Sequence, residues 1–90
     1  MEPVGELTAT LAPNPATTRS TVSLRLPEPG RVEVRVFDIR GREVVAPPAQ
    51  ELAAGTHRIA LDVSGLAAGV YVWRIVAAEQ RVAGRFTVVR

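Results

Sequence analysis

Thr21-Val22-Ser23-Leu24-Arg25-Leu26-Pro27-Glu28-Pro29-Gly30-Arg31-Val32-Glu33-Val34-Arg35-Val36 is the stretch that decides the fold. On either side of Pro27-Glu28-Pro29-Gly30 the apolar residues recur at every second position: Val22, Leu24 and Leu26, then Val32, Val34 and Val36. A period of two puts each set on one face of an extended chain, with Thr21, Ser23, Arg25, Glu33 and Arg35 on the other, which is the pattern of half-buried β-strands. Pro27, Pro29 and Gly30 supply a turn, and the reading is a hairpin.

Outward from this pair the same grammar continues. Leu7 to Leu11 is a short strand with Leu7, Ala9 and Leu11 on one face, stopped by Pro13-Asn14-Pro15. Asp38-Ile39-Arg40-Gly41 is a turn in which Asp38 accepts from backbone donors and Gly41 takes positive φ, and the chain then reverses into Glu43 to Val45. Pro47-Pro48 ends that segment, and Leu52-Ala53-Ala54-Gly55 leads into a strand from Thr56 to Val63. Ser64 to Gly69 is a loop across the end of a sandwich with Leu66 as its plug. Val70 to Ala77 is apolar on both faces apart from Arg74, as a central strand is, with Tyr71, Trp73 and Ile75 inside. Ala78-Glu79-Gln80 turns into a last strand, Arg81 to Arg90, with Val82, Phe86 and Val88 inward and Gly84 marking a bulge or close contact. The expectation is one all-β domain over residues 1–90, an immunoglobulin-like antiparallel sandwich of about seven strands.

Composition agrees with that class and narrows the functions. Ninety residues, 47% of them hydrophobic, enclose a single core, and fourteen valines suit pleated sheet better than helix. Cysteine is absent, so neither disulfides nor thiolate metal sites hold the domain together. All eleven cations are arginine, yet the net charge is only +2. Glu33 stands between Arg31 and Arg35, and Glu43 follows Arg42, so the clustered positive potential that phosphate backbones require is missing and nucleic acid is excluded as a partner. Met1-Glu2-Pro3-Val4 has no basic start followed by an apolar run, which leaves any signal peptide to a larger parent upstream.

Reactive chemistry is sparse. A nucleophile and base pair has one histidine to draw on, and His57 falls on the parity of Ile59, Leu61 and Val63, a packed or rim position. Asp38 and Asp62 sit at separate strand ends and are read as turn caps rather than metal ligands. No catalytic, cofactor or metal residues are assigned, and the chain is read as a non-enzyme. Tyr71 and Trp73, at i and i+2, share a face; exposed they would form a sugar-stacking platform, and in a central strand they are core. Phe37 is on the Glu33 and Arg35 side, covered either by Glu43 to Val45 or by a partner. Arg31, Arg35, Arg40, Arg42, Arg85 and Arg90 are either a recognition face for carboxylates or phosphates or a solvated sheet face.

Several short motifs occur in a fixed order: Pro13-Asn14-Pro15 before a Thr/Ser-rich strand; Val32-x-Val-x-Val-Phe37-Asp38-x-x-Gly41-Arg42; Leu52-x-x-Gly55; Leu66-x-x-Gly69-x-Tyr71-x-x-Arg74; and a final basic-flanked valine strand. This set, over Ala12 to Arg90 with residues 1–11 as lead-in, resembles the type A C-terminal sorting domain of cargo for the type IX (Por) secretion system, and is similar in style to the immunoglobulin-like segments of flagellar hook-capping proteins. The resemblance implies a bacterial address rather than an enzyme. Its parent cargo, N-terminal to this segment, would cross the periplasm and reach the cell surface or medium. The partners implied are the translocon, a sortase-like peptidase and anionic lipopolysaccharide. The resemblance places recognition at Arg85, Thr87, Val88, Val89 and Arg90, with Pro13, Asn14, Pro15, Asp38, Gly41, Arg42, Leu66, Gly69, Tyr71 and Arg74 as structural motif residues. Because a sandwich's last strand can present side chains and unpaired backbone, Thr87 to Arg90 are expected to dock by strand addition or side-chain capture. Arginine takes the place of the lysine that family ends often carry. The rival reading is an accessory cell-attachment or carbohydrate-binding module of a large secreted enzyme such as a glycoside hydrolase.

Overall fold

A computed structural model describes residues 5–77 and 79–90. Met1-Glu2-Pro3-Val4, on which the expectation about a leader rests, and Ala78 of the expected Ala78-Glu79-Gln80 turn lie outside the described residues. The described chain forms eight strands: β1 Thr8–Ala12, β2 Arg19–Leu26, β3 Gly30–Asp38, β4 Glu43–Val45, β5 Gln50–Leu52, β6 Gly55–Asp62, β7 Gly69–Ala77 and β8 Gln80–Val88. A three-stranded sheet runs β1-β2-β6, and a five-stranded sheet runs β4-β3-β7-β8 with β5 also on β3. Every strand pair is antiparallel, an all-β sandwich consistent with the immunoglobulin-like expectation.

The period-two residues meet in one core. Val22, Leu24 and Leu26 of β2 and Ile59 and Leu61 of β6 face Val32, Val34 and Val36 of β3, Tyr71, Trp73 and Ile75 of β7, and Phe86 and Val88 of β8, all of them buried. Val82, placed inward from the alternation, is half-buried against the same cluster, and Leu66 plugs the end as expected.

One expectation about connection fails. Residues Thr21–Leu26 and Val32–Val36 are not hairpin partners: β2 pairs with β1 and β6, whereas β3 pairs with β4, β5 and β7. Pro27-Glu28-Pro29-Gly30 is an arch that carries the chain from one sheet to the other, so the two alternating segments stack face to face across the core instead of edge to edge. The strand count also rises from about seven to eight, because Gln50–Leu52 pairs with Gly30–Val32 while Glu43–Val45 covers Val36 and Phe37. Pro47 and Pro48, which lack backbone donors, split what is in effect one edge strand into two short pieces.

Glycine meets two of these demands. Gly41, with φ of 84°, closes the turn after β3, where its N–H donates to Asp38 O at 2.9 Å. Gly84 is the other kind: it lies opposite Trp73 in the β7–β8 register, and a Cβ there would stand 2.6 Å from Trp73 Cζ2. The register from Gly69–Val88 to Ala77–Gln80 is unbroken, so of the two alternatives for Gly84 the close contact is the one realised.

Candidate functional site

The downstream end of β8 is where most of the singled-out residues converge. Pro13-Asn14-Pro15 follows β1, with cis peptide bonds before both prolines, and carries the chain across to β8. There Ala16 N donates to Thr87 O at 2.8 Å, Val89 N donates to Ala16 O at 2.9 Å, and Thr87 N donates to Asn14 Oδ1 at 3.0 Å. Ala16 thus forms a one-residue parallel bridge with Val88. Ser20, whose side chain is fully buried, donates its hydroxyl to Pro13 O at 2.9 Å, so the crossing segment is fixed from inside.

Arg90 completes this end. Its guanidinium donates to the carbonyls of Val63 (2.6 Å), Ser64 (3.1 Å) and Leu66 (2.5 Å from one nitrogen and 3.0 Å from Nε), and also to Thr17 O. Backbone carbonyls accept only, and guanidinium donates only, so the forked donor set suits a ring of carbonyls from two separate loops. Tyr71 adds a further tie from the interior: its hydroxyl donates to Ala67 O at 2.6 Å, and its ring packs on Phe86 with centroids 5.8 Å apart. A tyrosine returning a hydrogen bond to the chain a few residues upstream fixes the corner where the loop enters the strand. Gly69, at the head of β7 with φ of 156°, pairs with Val88 in the β7–β8 register.

The five recognition candidates therefore stand in different settings. Arg85 and Val89 are exposed, Val89 by 40%. Thr87 is half-buried with both backbone groups engaged, Val88 is core at 1% exposed, and Arg90 is exposed as a residue but spends its guanidinium on carbonyls. Strand addition at Thr87–Val89 meets a backbone edge that Asn14 and Ala16 already occupy. Leu66, Gly69, Tyr71, Pro13, Asn14 and Pro15 surround this end. Nothing in the sequence marked the carbonyl ring around Arg90, because backbone acceptors leave no trace in residue identity.

The Asp38 turn lies at the same end of the five-stranded sheet, since Asp38 registers with Tyr71 and Tyr71 with Phe86. Asp38 Oδ1 accepts from the N–H groups of Arg40 (2.9 Å) and Arg42 (3.0 Å), and Oδ2 accepts from Arg42 Nε (2.9 Å). The Arg42 backbone donor, with its side chain and Arg40 N–H behind it, holds the Asp38 carboxyl below the ordinary aspartate value. Asp62 is likewise a cap: Oδ1 accepts from Ser64 Oγ (2.6 Å) and N (3.0 Å), and the Ser64 hydroxyl lowers its pKa.

Arg74 sits apart, on the outer face of the five-stranded sheet. Its guanidinium carbon lies 4.7 Å from the Phe37 ring centroid, and its Nε is buried without a hydrogen-bond partner. Phe37, expected to be covered by Glu43–Val45 or by a partner, pairs with Glu43 of β4 and is covered as well by Arg74 from β7. Arg35 stands directly opposite Arg74, an arrangement of like charges that Glu33 and Glu43, each 2.8 Å from Arg35, offset. The Arg35 hydrogen bond lowers the Glu33 pKa, and the Glu33 bond raises that of Arg35. Of the six arginines considered as a recognition face, Arg31, Arg35 and Arg42 have carboxylate neighbours, whereas Arg40 and Arg85 have no ion pair among the described residues.

The remaining chemical candidates resolve into structure. Tyr71 and Trp73 are 7% and 5% exposed, so they form core and offer no sugar-stacking platform. His57 is a rim residue whose Nε2 meets Ala53 O at 2.6 Å; the carbonyl accepts, so Nε2 carries the proton.

Compared with known protein families, the chain matches the profile described as "Secretion system C-terminal sorting domain" over residues 10–89. A search of curated proteins gives no match.

Proposed function

The chain belongs to the secretion system C-terminal sorting domain family, the type IX sorting signals, and we propose that it acts without catalysis as a folded address read at the downstream end of β8. The family implies recognition by type IX machinery, a cargo N-terminal to the domain, and export across the outer membrane to the cell surface or medium. The observation that carries the reading is the match over residues 10–89, nearly all of the described sandwich.

The finer steps are part of the proposal. Arg85 and Val89 are the side chains that point to a receptor, while Thr87, Val88 and Arg90 hold the strand end in the form that is recognised. That division is supported by the exposure of Arg85 and Val89 and by the carbonyl ring around Arg90. The cargo passes through the periplasm in transit, a sortase-like peptidase then removes the domain, and anionic lipopolysaccharide is the attachment target. A folded body suits such an address because residues 13–18, 63–67 and 85–90 come together only when both sheets have closed.

The test is a fusion of a periplasmic signal peptide and a fluorescent protein to residues 1–90, expressed in a type IX competent bacterium. The expected result is fluorescence at the surface or in the medium that disappears in a translocon mutant. Fluorescence that stays in the periplasm of the competent strain would overturn the reading.

A further inference from the structure

The bridge to Ala16 closes only the downstream half of the outer edge of β8. It also fixes which backbone groups point outward there. Thr87 O and Val89 N face Ala16, and in a strand the N–H and C=O of successive residues alternate in direction. The groups of Arg81, Ala83 and Arg85 therefore point the same way as those of Thr87, away from β7. Among the described residues no strand pairs with them on that side, and no other part of the chain hydrogen-bonds to their backbone. The open stretch ends upstream where Leu7 N donates to Gln80 Oε1 at 2.7 Å. It ends downstream where Asn14 and Ala16 begin.

We infer that this open edge, Arg81 to Arg85, is a strand-addition site for an extended segment of a protein partner that carries carboxylates at alternate positions. Outward-pointing N–H and C=O groups spaced two residues apart are what an added strand pairs with. The side chains choose the partner. Arg81, Ala83 and Arg85 are all exposed and share the outer face, so an added strand meets a cation at each end and an alanine between them. Arg85 has no ion pair among the described residues, and neither has Arg81. A second copy of this chain fits poorly: antiparallel pairing centred on Ala83 sets Arg81 of one copy against Arg85 of the other at both ends, and like charges directly opposite are destabilising. Toward the interior, Val82 and Gly84 are half-buried, which favours apolar residues at the alternate positions of the added strand. The inference deepens the sorting reading, and rests on it only in making the partner a component of the export machinery.

The pairing is tested first on the isolated chain. A short capped peptide alternating valine and glutamate is titrated into the labelled protein, with a valine and lysine peptide as control. Expected are amide shifts and exchange protection at Arg81, Ala83 and Arg85 with the acidic peptide alone. Ala83→Pro removes the central donor from a solvent-facing edge position that proline tolerates. It should weaken binding at least about tenfold with the melting temperature retained. R81E/R85E, which leaves the backbone unchanged, should reverse the preference to the lysine peptide. Binding that is equal for both peptides, unaffected by R81E/R85E, or absent at these amides overturns the inference, as does a dimer in sedimentation that Ala83→Pro dissolves. In the export fusion the two readings separate. If the wild-type fusion is not exported, the sorting reading fails whatever the peptide does. If it is exported and a folded R81E/R85E fusion is exported equally well, the edge is not the handle.

Discussion

Replacing Gly84 by alanine isolates one contact on which the packing of the five-stranded sheet depends. The new methyl group would lie 2.6 Å from Trp73 Cζ2, 2.7 Å from Cε2 and 2.9 Å from Nε1. Carbon atoms pack at about 3.5–4.0 Å, so the indole must retreat by about 1 Å. It has little room to do so, being 5% exposed with its backbone fixed between Val36 on one side and Gly84 on the other. Overpacking of this kind costs about 1–3 kcal/mol. Against this, Gly84 has no positive φ, and removing a glycine restricts the unfolded chain, which returns about 0.4–1 kcal/mol. The difference is a net loss of up to about 2.6 kcal/mol, centred on about 1.3 kcal/mol, or roughly 5–10 °C in melting temperature for a domain of this size. Circular dichroism melts measure it, and the emission of Trp73, the one tryptophan in the sequence, reports whether the ring has moved. A double-mutant cycle assigns the cause: in a Trp73→Leu background the same Gly84→Ala change is expected to be neutral or slightly stabilising. Equal losses in both backgrounds, within the roughly 0.3–0.5 kcal/mol of ordinary additivity, would refute the reasoning.

Three further outcomes follow from the site geometry. Arg90→Ala leaves the carbonyls of Thr17, Val63, Ser64 and Leu66 without their shared donor; it should cost about 1–2 kcal/mol and speed amide exchange at Ala16 and Val89, and Arg90→Lys should not rescue it because an ammonium lacks the planar fork. Tyr71→Phe keeps the packing on Phe86 and loses the bond to Ala67 O, with an expected cost of about 0.5–1.5 kcal/mol in thermal melts. Asp38, Asp62 and Glu33 all have pKa values lowered by folding, so the stability they contribute is present above the ordinary carboxylate range, begins to fall near about pH 4, and is lost as pH drops through their folded values. Asp38→Asn should flatten that acid limb in melts recorded as a function of pH, and an unchanged acid limb would contradict the capping role.

What was legible in the sequence is what side-chain period carries. The faces of Thr21–Leu26 and Val32–Val36 follow from alternation, the central place of Val70–Ala77 follows from its being apolar on both faces, and the Asp38 turn follows from the residue types that accept and permit it. The arch at Pro27-Glu28-Pro29-Gly30 was not legible, because a strand buries the same alternate residues whether its neighbour in sequence lies beside it or across the core. Gln50–Leu52 was hidden for a different reason: three residues are too few to show a period, and its pairing is set by how far Gly30–Val32 extends beyond Glu43–Val45. Gly84 carried a signal, a glycine inside a strand, whose meaning required the register that sets it opposite Trp73. The bridge at Ala16 left no signal, since an alanine supplies only its backbone there.

The two halves of β8 answer to opposite constraints, and the contrast bears on how a folded address can be read. An open sheet edge invites pairing with any extended chain, and proteins blunt such edges with charge, bulges or cover. Over the downstream half the cover comes from Asn14 and Ala16, residues more than seventy positions away in sequence, and from the carbonyl ring around Arg90. This cover exists only in the folded chain, so the form of Arg85–Arg90 depends on closure of the whole sandwich. Over the upstream half no strand pairs with the outer backbone edge among the described residues, although β1 of the other sheet comes close to β8, and Arg81 and Arg85 supply the charge that blunts it. Charge blunts selectively: it opposes pairing with a like-charged copy and leaves pairing with an acidic strand favourable. On the proposed reading, a domain arranged in this way would hold the side chains of Arg85–Arg90 in a fixed form while keeping one stretch of edge available to a partner of the opposite sign.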